Sequence, residues 1–553
     1  MFSKPTSSEP PVLGGEQIAQ FVKDHGYRHI FALPGSSMTA ATFAFQNSGA
    51  EYVPAIHESV TVAMADGYAR VAGSSFAMLY MMPGVANGLA NLYNAWKDET
   101  PMLLLASQQG TRLRSPMDWT VCEGDLVGMT RPYTRLSHEL APEMPLRPWL
   151  DHARQISMGP LPGPAFLALQ ENVIEEPQSV ESGRISVRPA LAVPDLSAIA
   201  EALRTAQRPL IIVGGQLARH GGSRAIERLS SEQAIPMAYE AAFSDRLGAA
   251  PGHPNMLGNI IGRAAPMEQD ADVVLAIGCR FMAEAHARPL PWFPAARFIA
   301  HINGDPTKLE ASQSVDWAVA CDPGAAANIL ADLLAAKPVS ADVKEARSQR
   351  LAAHRNQKGV GYMGMIPGTL AAVEPLRDAL DHGWVVDEST SGLFALQDRL
   401  TATDGSRYIG TTGSSLGWGT GAAVGVALAS GEPVTLVIGD GSLRFSALGL
   451  WNIAAGKLPI TVVVLDNGGY GSTRMFERFH AQKLSATGQS QEVGYLGSDL
   501  RNMGPSVKSI IEGFGIPCMT PKSGDDMRAA MMTAWEKGRK GPSAIVLPVD
   551  FNG

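Results

Sequence analysis

Val434-Thr435-Leu436-Val437-Ile438-Gly439-Asp440-Gly441-Ser442, followed by Ile460-Thr461-Val462-Val463-Val464-Leu465-Asp466-Asn467-Gly468-Gly469-Tyr470, decides how this chain folds. Each stretch is a short apolar run that stops at glycines. Residues 434–438 and 460–465 read as buried parallel strands, and 446–456 reads as the helix that connects them. Asp440 and Asn467 would then emerge at the carboxyl ends of neighbouring strands, where open α/β sheets bind ligands. Two oxygen donors there suit a hard cation such as Mg²⁺, which binds through few protein oxygens together with phosphates. The glycine turn brings backbone N–H groups and a helix N-terminus to those phosphates.

The same alternation extends outward in both directions. In the N-terminal third, 16–25 and 59–71 read as helices, and 29–33, 76–80, 102–106 and 165–169 as strands. A polar Pro/Ser-containing stretch at 177–194 reads as a linker. A second α/β unit opens at Leu210-Ile211-Ile212-Val213-Gly214-Gly215 and continues through 273–278 and 298–303. Its glycine pair lacks the full dinucleotide fingerprint, so a structural Rossmann-like layer is the favoured reading. The charged stretch 340–369 reads as a second linker, and a third unit opens with a strand at 384–386. The expected fold class is α/β, with three consecutive doubly wound parallel-sheet domains at 13–180, 190–340 and 360–553 after a disordered tail at 1–12. No short-period repeat is visible, which excludes a solenoid.

With 553 residues, 45% of them hydrophobic, the chain can bury several cores. A net charge of -8 and scattered basic residues argue against nucleic acid or an anionic membrane as partner. Cys122, Cys279, Cys321 and Cys518 have no metal-ligand spacing and read as reduced thiols. The Ser/Pro-rich N-terminus lacks an apolar signal core and no stretch has membrane-spanning length, so a cytoplasmic protein is expected.

A Gly439-Asp440-Gly441-Ser442 turn followed by Asn467 on the next strand resembles the diphosphate-binding signature of thiamine diphosphate (ThDP) enzymes. The family pattern has Asn-Asn where this chain has Asp466-Asn467, and the ligand position, Asn467, is retained. His57-Glu58-Ser59-Val60, then Ala63-Met64-Ala65-Asp66-Gly67-Tyr68-Ala69, resembles the family's glutamate motif. The three units resemble the pyrimidine-binding, central and diphosphate-binding domains of the benzoylformate decarboxylase and acetolactate synthase superfamily. The resemblance implies ThDP and Mg²⁺ as cofactors, with Asp440, Asn467 and the Gly469 carbonyl as metal ligands. It implies that the Glu58 carboxyl hydrogen-bonds the far pyrimidine nitrogen, so that the cofactor's own amine can take the thiazolium C2 proton. It assigns Thr390 and Ser391, in Asp387-Glu388-Ser389-Thr390-Ser391, to the diphosphate, together with Gly441, Ser442, Tyr470 and Gly471. In Gly413-Ser414-Ser415-Leu416-Gly417 it places Ser414 and Ser415 at the cofactor, and Leu416 as the wedge under the thiazolium that enforces proximity.

The substrate side resembles the family less closely. Ser36, in Leu33-Pro34-Gly35-Ser36, matches the pocket loop of benzoylformate decarboxylase, and Gln109 and Phe476 are further candidate substrate contacts. Where that enzyme carries an acid–base histidine this chain has Tyr80, whose unperturbed pKa of about 10 suits a donor better than a base. His286 lies near the place of the family's second histidine, and Arg112 and Arg114 are candidate carboxylate binders. The expected reaction is C–C cleavage or formation next to a carbonyl, by 2-keto acid decarboxylation or decarboxylative carboligation, with a 2-keto acid, aldehyde or acyloin as substrate. Acyloin cleavage without CO₂ release is the alternative, and a silent ThDP-binding regulatory subunit is the alternative of another class. The resemblance also implies a homodimer or homotetramer with active sites at the subunit interface.

Overall fold

A computed structural model describes residues 12–111, 124–178, 191–240, 244–261, 264–281, 290–355, 368–377, 383–400, 405–489, 492–522 and 524–551. Eighteen of its strands form three six-stranded sheets in which every pairing is parallel. A two-stranded antiparallel pair, Val12–Leu13 with Pro177–Gln178, stands apart from them. The chain divides into two compact units, one of Met1–Pro189 with Thr420–Ser430 and the other of Ala190–Gly419 with Gly431–Gly553.

In the first unit the strand order is Glu51–Pro54, His29–Ala32, Ser75–Leu79, Met102–Gln108, Pro164–Gln170, Leu136–Leu140. The chain runs from His29–Ala32 to one neighbour, Glu51–Pro54, and then returns to the other side at Ser75–Leu79. That reversal is a topological switch point, and parallel sheets open a crevice there at the carboxyl ends of the strands. Ser75–Leu79 and Met102–Gln108 are buried along their whole length, as a sheet covered on both faces requires.

The second unit holds two sheets with the same plan. One runs Met256–Asn259, Met237–Tyr239, Pro209–Val213, Val273–Ile277, Phe298–Asn303, Trp317–Ala320. Along Pro209–Val213, Ile211 and Val213 join one apolar cluster while Leu210 and Ile212 join another, so both faces are packed. The other sheet runs Tyr408–Ile409, Trp384–Glu388, Val434–Gly439, Ile460–Asp466, Ser543–Pro548, Cys518–Met519, and its switch point lies between Trp384–Glu388 and Val434–Gly439.

Two sequence expectations are corrected. The connection after Val434–Gly439 is not one helix over 446–456. A helix begins at once, at Asp440–Ser446, and a second follows at Gly449–Ala455. Within the stretch read as a linker, Ala341–Arg355 is helical. Its charged composition hid one inward anchor. Buried Arg347 donates to the Leu203, Arg204, Ala206 and Gln233 carbonyls, which lie at the ends of Ser197–Thr205 and Ser223–Gln233. A guanidinium there satisfies carbonyls that a helix end leaves without partners.

At the switch point of the Pro209–Val213 sheet the buried Glu240 carboxylate stands against Gly214 and accepts the Arg280 N–H at 2.7 Å. Burial pushes its carboxyl up to about 7 against the attraction of Arg280. The native state therefore binds a proton that the unfolded chain has already released above its ordinary 4.5. This contribution to stability is complete below that value and is lost as pH rises through about 7. Glu240→Gln keeps an acceptor oxygen and removes the charge. Its melting temperature relative to wild type should climb between about pH 5 and about pH 8, and a pH-independent difference would contradict this.

Candidate active site

Four adjacent strands of the first unit deliver four sequence-selected residues to one edge. Glu58 follows Glu51–Pro54, Ser36 follows His29–Ala32, Tyr80 follows Ser75–Leu79, and Gln109 follows Met102–Gln108. Glu58 opens the helix Glu58–Ala72, which His57 caps by accepting the Ser59 N–H on Nδ1. This helix start leaves the Glu58 side chain 8% exposed. Its Oε2 accepts from Asn87 Nδ2 at 3.0 Å, and Oε1 faces Gly84, where a Cβ would approach to 3.2 Å. Asn87 and Gly84 both come from the first turns of Met81–Lys97.

The Tyr80 ring occupies the space over Gly35, where any side chain would collide with it at 2.0 Å. Ser37 Oγ donates to Ser107 Oγ at 2.6 Å, which ties the Ser36 loop to the end of Met102–Gln108, two strands away in the sheet. Met81 N–H reaches the same Ser107 hydroxyl at 3.3 Å and holds a φ of 40°. Strained backbone of this kind persists only where the surroundings over-determine it, and it gathers at functional sites.

In the second unit a pocket is lined by Ser244, Asp387, Glu388, Thr390, Leu393, Gly410, Thr411, Ser414, Ser415 and Leu416. Thr390, Ser414, Ser415 and Leu416 are thus brought together from two separate loops. Thr390 and Ser414 have φ values of 49° and 59°, and a β-branched residue such as Thr390 rarely adopts a positive φ. Beneath them Glu388 accepts the N–H groups of Gly417, Trp418 and Gly419 at 2.7, 3.3 and 2.7 Å. Burial pushes its carboxyl up to about 7, and those three donors hold it from rising further. Ser391 shares the short helical turn Thr390–Gly392 but does not line the pocket.

At the next strand end the Thr390 and Ser442 hydroxyls both lie 3.9 Å from the point where a Gly439 Cβ would stand. Gly439 therefore keeps open a cradle edged by two hydroxyls. Gly441 is required for a second reason, because the Tyr470 ring packs 2.8 Å from the position of its missing Cβ. Gly471 N–H donates to the Gly469 carbonyl at 3.0 Å and starts the helix Gly471–Ala486.

Asp440 and Asn467 lie just beyond two adjacent strands whose last paired residues are Gly439 and Leu465. Asp440 Oδ1 accepts the Asn467 N–H at 3.3 Å, while Oδ2 is buried without a hydrogen-bond partner. Burial first, and the Asp466 charge second, push the Asp440 carboxyl up to about 7. An orphaned buried carboxylate oxygen at one strand end, with the Asn467 amide oxygen and the Gly469 carbonyl on the turn after the next strand, is a donor set whose chemistry fits a hard divalent cation. Among the described residues no three His, Cys, Asp or Glu side chains form a metal cluster, and a cation completed by phosphates and water needs none.

The remaining sequence-selected residues stand elsewhere. Phe476 sits on the Gly471–Ala486 helix beside Phe479, 47% exposed and outside the pocket. His286, Arg112, Arg114 and Cys122 lie outside the described residues. Sequence reading missed Ser244, whose buried hydroxyl lines the pocket without a hydrogen-bond partner. Ser244 is distant in sequence from the other lining residues and belongs to no motif, so only the fold brings it in. Asn87, the contact partner of Glu58, lies 29 residues beyond it, and only the fold brings the two together.

Hydroxyls and oxygen donors thus gather at one switch point of the α/β sheets, and a buried carboxylate at another. The chain belongs to the thiamine diphosphate-dependent enzyme superfamily. Residues 13–129 match the N-terminal TPP binding domain of the thiamine pyrophosphate enzymes, 196–330 the central domain, and 392–547 the C-terminal TPP binding domain. Benzoylformate decarboxylase of Pseudomonas aeruginosa is 26% identical over 467 residues, covering 83% of this chain and 86% of the relative. Acetolactate synthase of Bacillus subtilis is 24% identical and covers 98% of this chain and 93% of its own. The solved 4-hydroxybenzoylformate decarboxylase of Rhodococcus jostii shares the fold, with a TM-score of 0.82 at 22% identity over 98% of this chain and all of that one (100%). Among the described residues no helix is long and apolar enough to cross a membrane.

Proposed function

We propose that this chain is a ThDP- and Mg²⁺-dependent enzyme that cleaves or forms a C–C bond next to a carbonyl, by decarboxylating a 2-keto acid or by decarboxylative carboligation. The observation that carries the reading is Asp440 Oδ2, buried without a partner beside Asn467 at the cradle edged by Thr390 and Ser442. Asp440, Asn467 and the Gly469 carbonyl hold the cation, and Thr390, Ser442 and the backbone at Gly441 orient the diphosphate. When bound, ThDP supplies a carbon nucleophile that adds to the substrate carbonyl and then serves as an electron sink. Asn87 orients the Glu58 carboxyl through Oε2, so that Glu58 can hydrogen-bond the cofactor's pyrimidine nitrogen. Ser414, Ser415 and Leu416 line the pocket that fixes the cofactor's conformation. Ser36, Tyr80 and Gln109 face the substrate, and the Tyr80 hydroxyl is the proton donor of that edge.

The relatives named above support the choice of reaction class, since benzoylformate decarboxylase and acetolactate synthase both match along most of the chain. One observation favours acyloin cleavage as a second reading. By the family resemblance Tyr80 takes the place of the decarboxylase's acid–base histidine, and a tyrosine is a poor base near neutral pH. Assembly as a homodimer or homotetramer is supported by Phe445, Leu448, Phe476, Phe479, Leu496 and Met503, which stay exposed in the second unit.

Proton NMR on the protein with ThDP and Mg²⁺ tests the reaction. Pyruvate, benzoylformate, branched 2-keto acids and benzoin would be supplied in turn, with CO₂ followed in parallel. CO₂ together with an aldehyde or acyloin is the expected result. Acyloin cleavage without CO₂ would replace it by the lyase reading. No turnover of any substrate, with ThDP bound, would favour a silent subunit.

A further inference from the structure

We propose that Arg474 is a positioning residue for the cation site, which presents the Asn467 amide oxygen to the metal, and that Phe551 seats Arg474 for this task. The proposal rests on the ThDP and Mg²⁺ reading above. Arg474 is 1% exposed, an unusual burial for a guanidinium. Its Nη2 donates to the Asn467 main-chain carbonyl at 2.5 Å and to Asn467 Oδ1 at 2.9 Å. One donor therefore fixes both the turn after Ile460–Asp466 and the side chain that follows it.

The chemistry of the pair explains why this matters. An asparagine amide presents oxygen and NH₂ ends of almost equal shape, and only the oxygen can ligate a cation. A guanidinium has donors and no acceptor, so it pairs with Oδ1 and excludes the flipped amide. The amide oxygen has two lone pairs, so one remains for a metal after Arg474 has taken the other. Groups that hold a ligand from behind in this way set metal affinity almost as strongly as the ligands do.

Arg474 is itself held by Phe551. Its guanidinium carbon lies 3.9 Å from the centroid of Phe551, and that of Arg478 lies 4.3 Å from the same centroid. Tyr495 meets Phe551 edge-on at 6.1 Å, and its hydroxyl accepts from Arg478 Nε at 2.6 Å. Phe551 is delivered by Ser543–Pro548, which pairs with the strand that carries Asp466, and Val549 N–H closes onto the Asp466 carbonyl at 2.8 Å. Phe551 thereby touches the residue that holds Asn467 rather than the cation site itself.

A positive charge beside the ligand also repels a cation, so a mere counter-charge to Asp440 and Asp466 would give the opposite mutational result. The test is Mn²⁺ binding to the full-length protein with ThDP, read by electron paramagnetic resonance. Arg474→Lys keeps the charge and loses the planar fork, and Arg474→Met loses both. Both should weaken Mn²⁺ binding by about 10–100-fold. Phe551→Leu should weaken it in the same direction with Arg474 still present. In the Asn467→Ala background, Arg474→Lys should cause no further loss, because the two act as one unit. Unchanged affinity in Arg474→Lys, tighter binding in Arg474→Met, or full additivity with Asn467→Ala would each overturn the proposal. Wild-type protein that binds ThDP but no Mn²⁺ would overturn the metal reading, and the proposal with it.

Discussion

Glu58→Gln should lower turnover by about 10²–10⁴-fold, the range expected for loss of a positioned proton-transfer group, while ThDP remains bound. The substitution is nearly isosteric. Oε2 accepts from Asn87, and a glutamine oxygen can take over that bond. Gly84 leaves the other end of the side chain the same room. The helix Glu58–Ala72 keeps its His57 cap, so the fold has no reason to change. Only the exchangeable carboxyl proton is lost. The measurement is a pair: steady-state turnover, and cofactor binding followed by near-UV circular dichroism. Wild-type rates in the variant would remove Glu58 from the chemistry, and simultaneous loss of cofactor would make its role one of binding.

The second large effect is expected at Asp440. Asp440→Asn should weaken Mg²⁺-dependent cofactor binding by more than the roughly 100-fold that loss of an outer-shell partner can cost. It removes the negative charge among the three proposed protein ligands. The same change should stabilise the protein without cofactor above neutral pH. The Asp440 carboxyl is pushed up to about 7 by burial and by Asp466, so at higher pH the native state carries a charge that it holds poorly. That penalty is absent below the ordinary carboxyl range, grows as pH rises toward 7, and is removed by the amide. Thermal melts at about pH 8, with and without ThDP and Mg²⁺, would show the crossing. The variant should melt higher when empty and lower when both are supplied. A variant that gains as much from the cofactor as wild type does would remove Asp440 from the cation site.

Residues that sit just beyond an apolar run were the ones readable in advance. Asp440, Asn467, Glu58, Ser36 and Tyr80 all follow a strand within a few positions, and a parallel sheet sends every strand end to the same edge. The helix after Val434–Gly439 was misread because glycine and serine lower helix propensity locally, whereas the strand end and the packing of Leu443 impose a helix from Asp440 onward. The helix Ala341–Arg355 was missed because its apolar signal is weak and its main anchor, Arg347, is charged. Periodicity arguments count hydrophobic residues and pass over a buried arginine.

The sequence by itself determined the fold class, the family and the identity of the strand-end residues. These follow from local pattern: apolar runs of strand length, glycine turns, and oxygen-bearing side chains at fixed offsets. Tertiary structure alone decided which of them meet. It placed Ser244 in the pocket with Thr390 and Ser414, turned Asn87 toward Glu58, and left Asp440 Oδ2 without a partner. It also brought Phe551, which follows the adjoining strand, against Arg474. Contacts between residues far apart in sequence depend on strand order and register, which no local pattern encodes, and these are the contacts that shape the site.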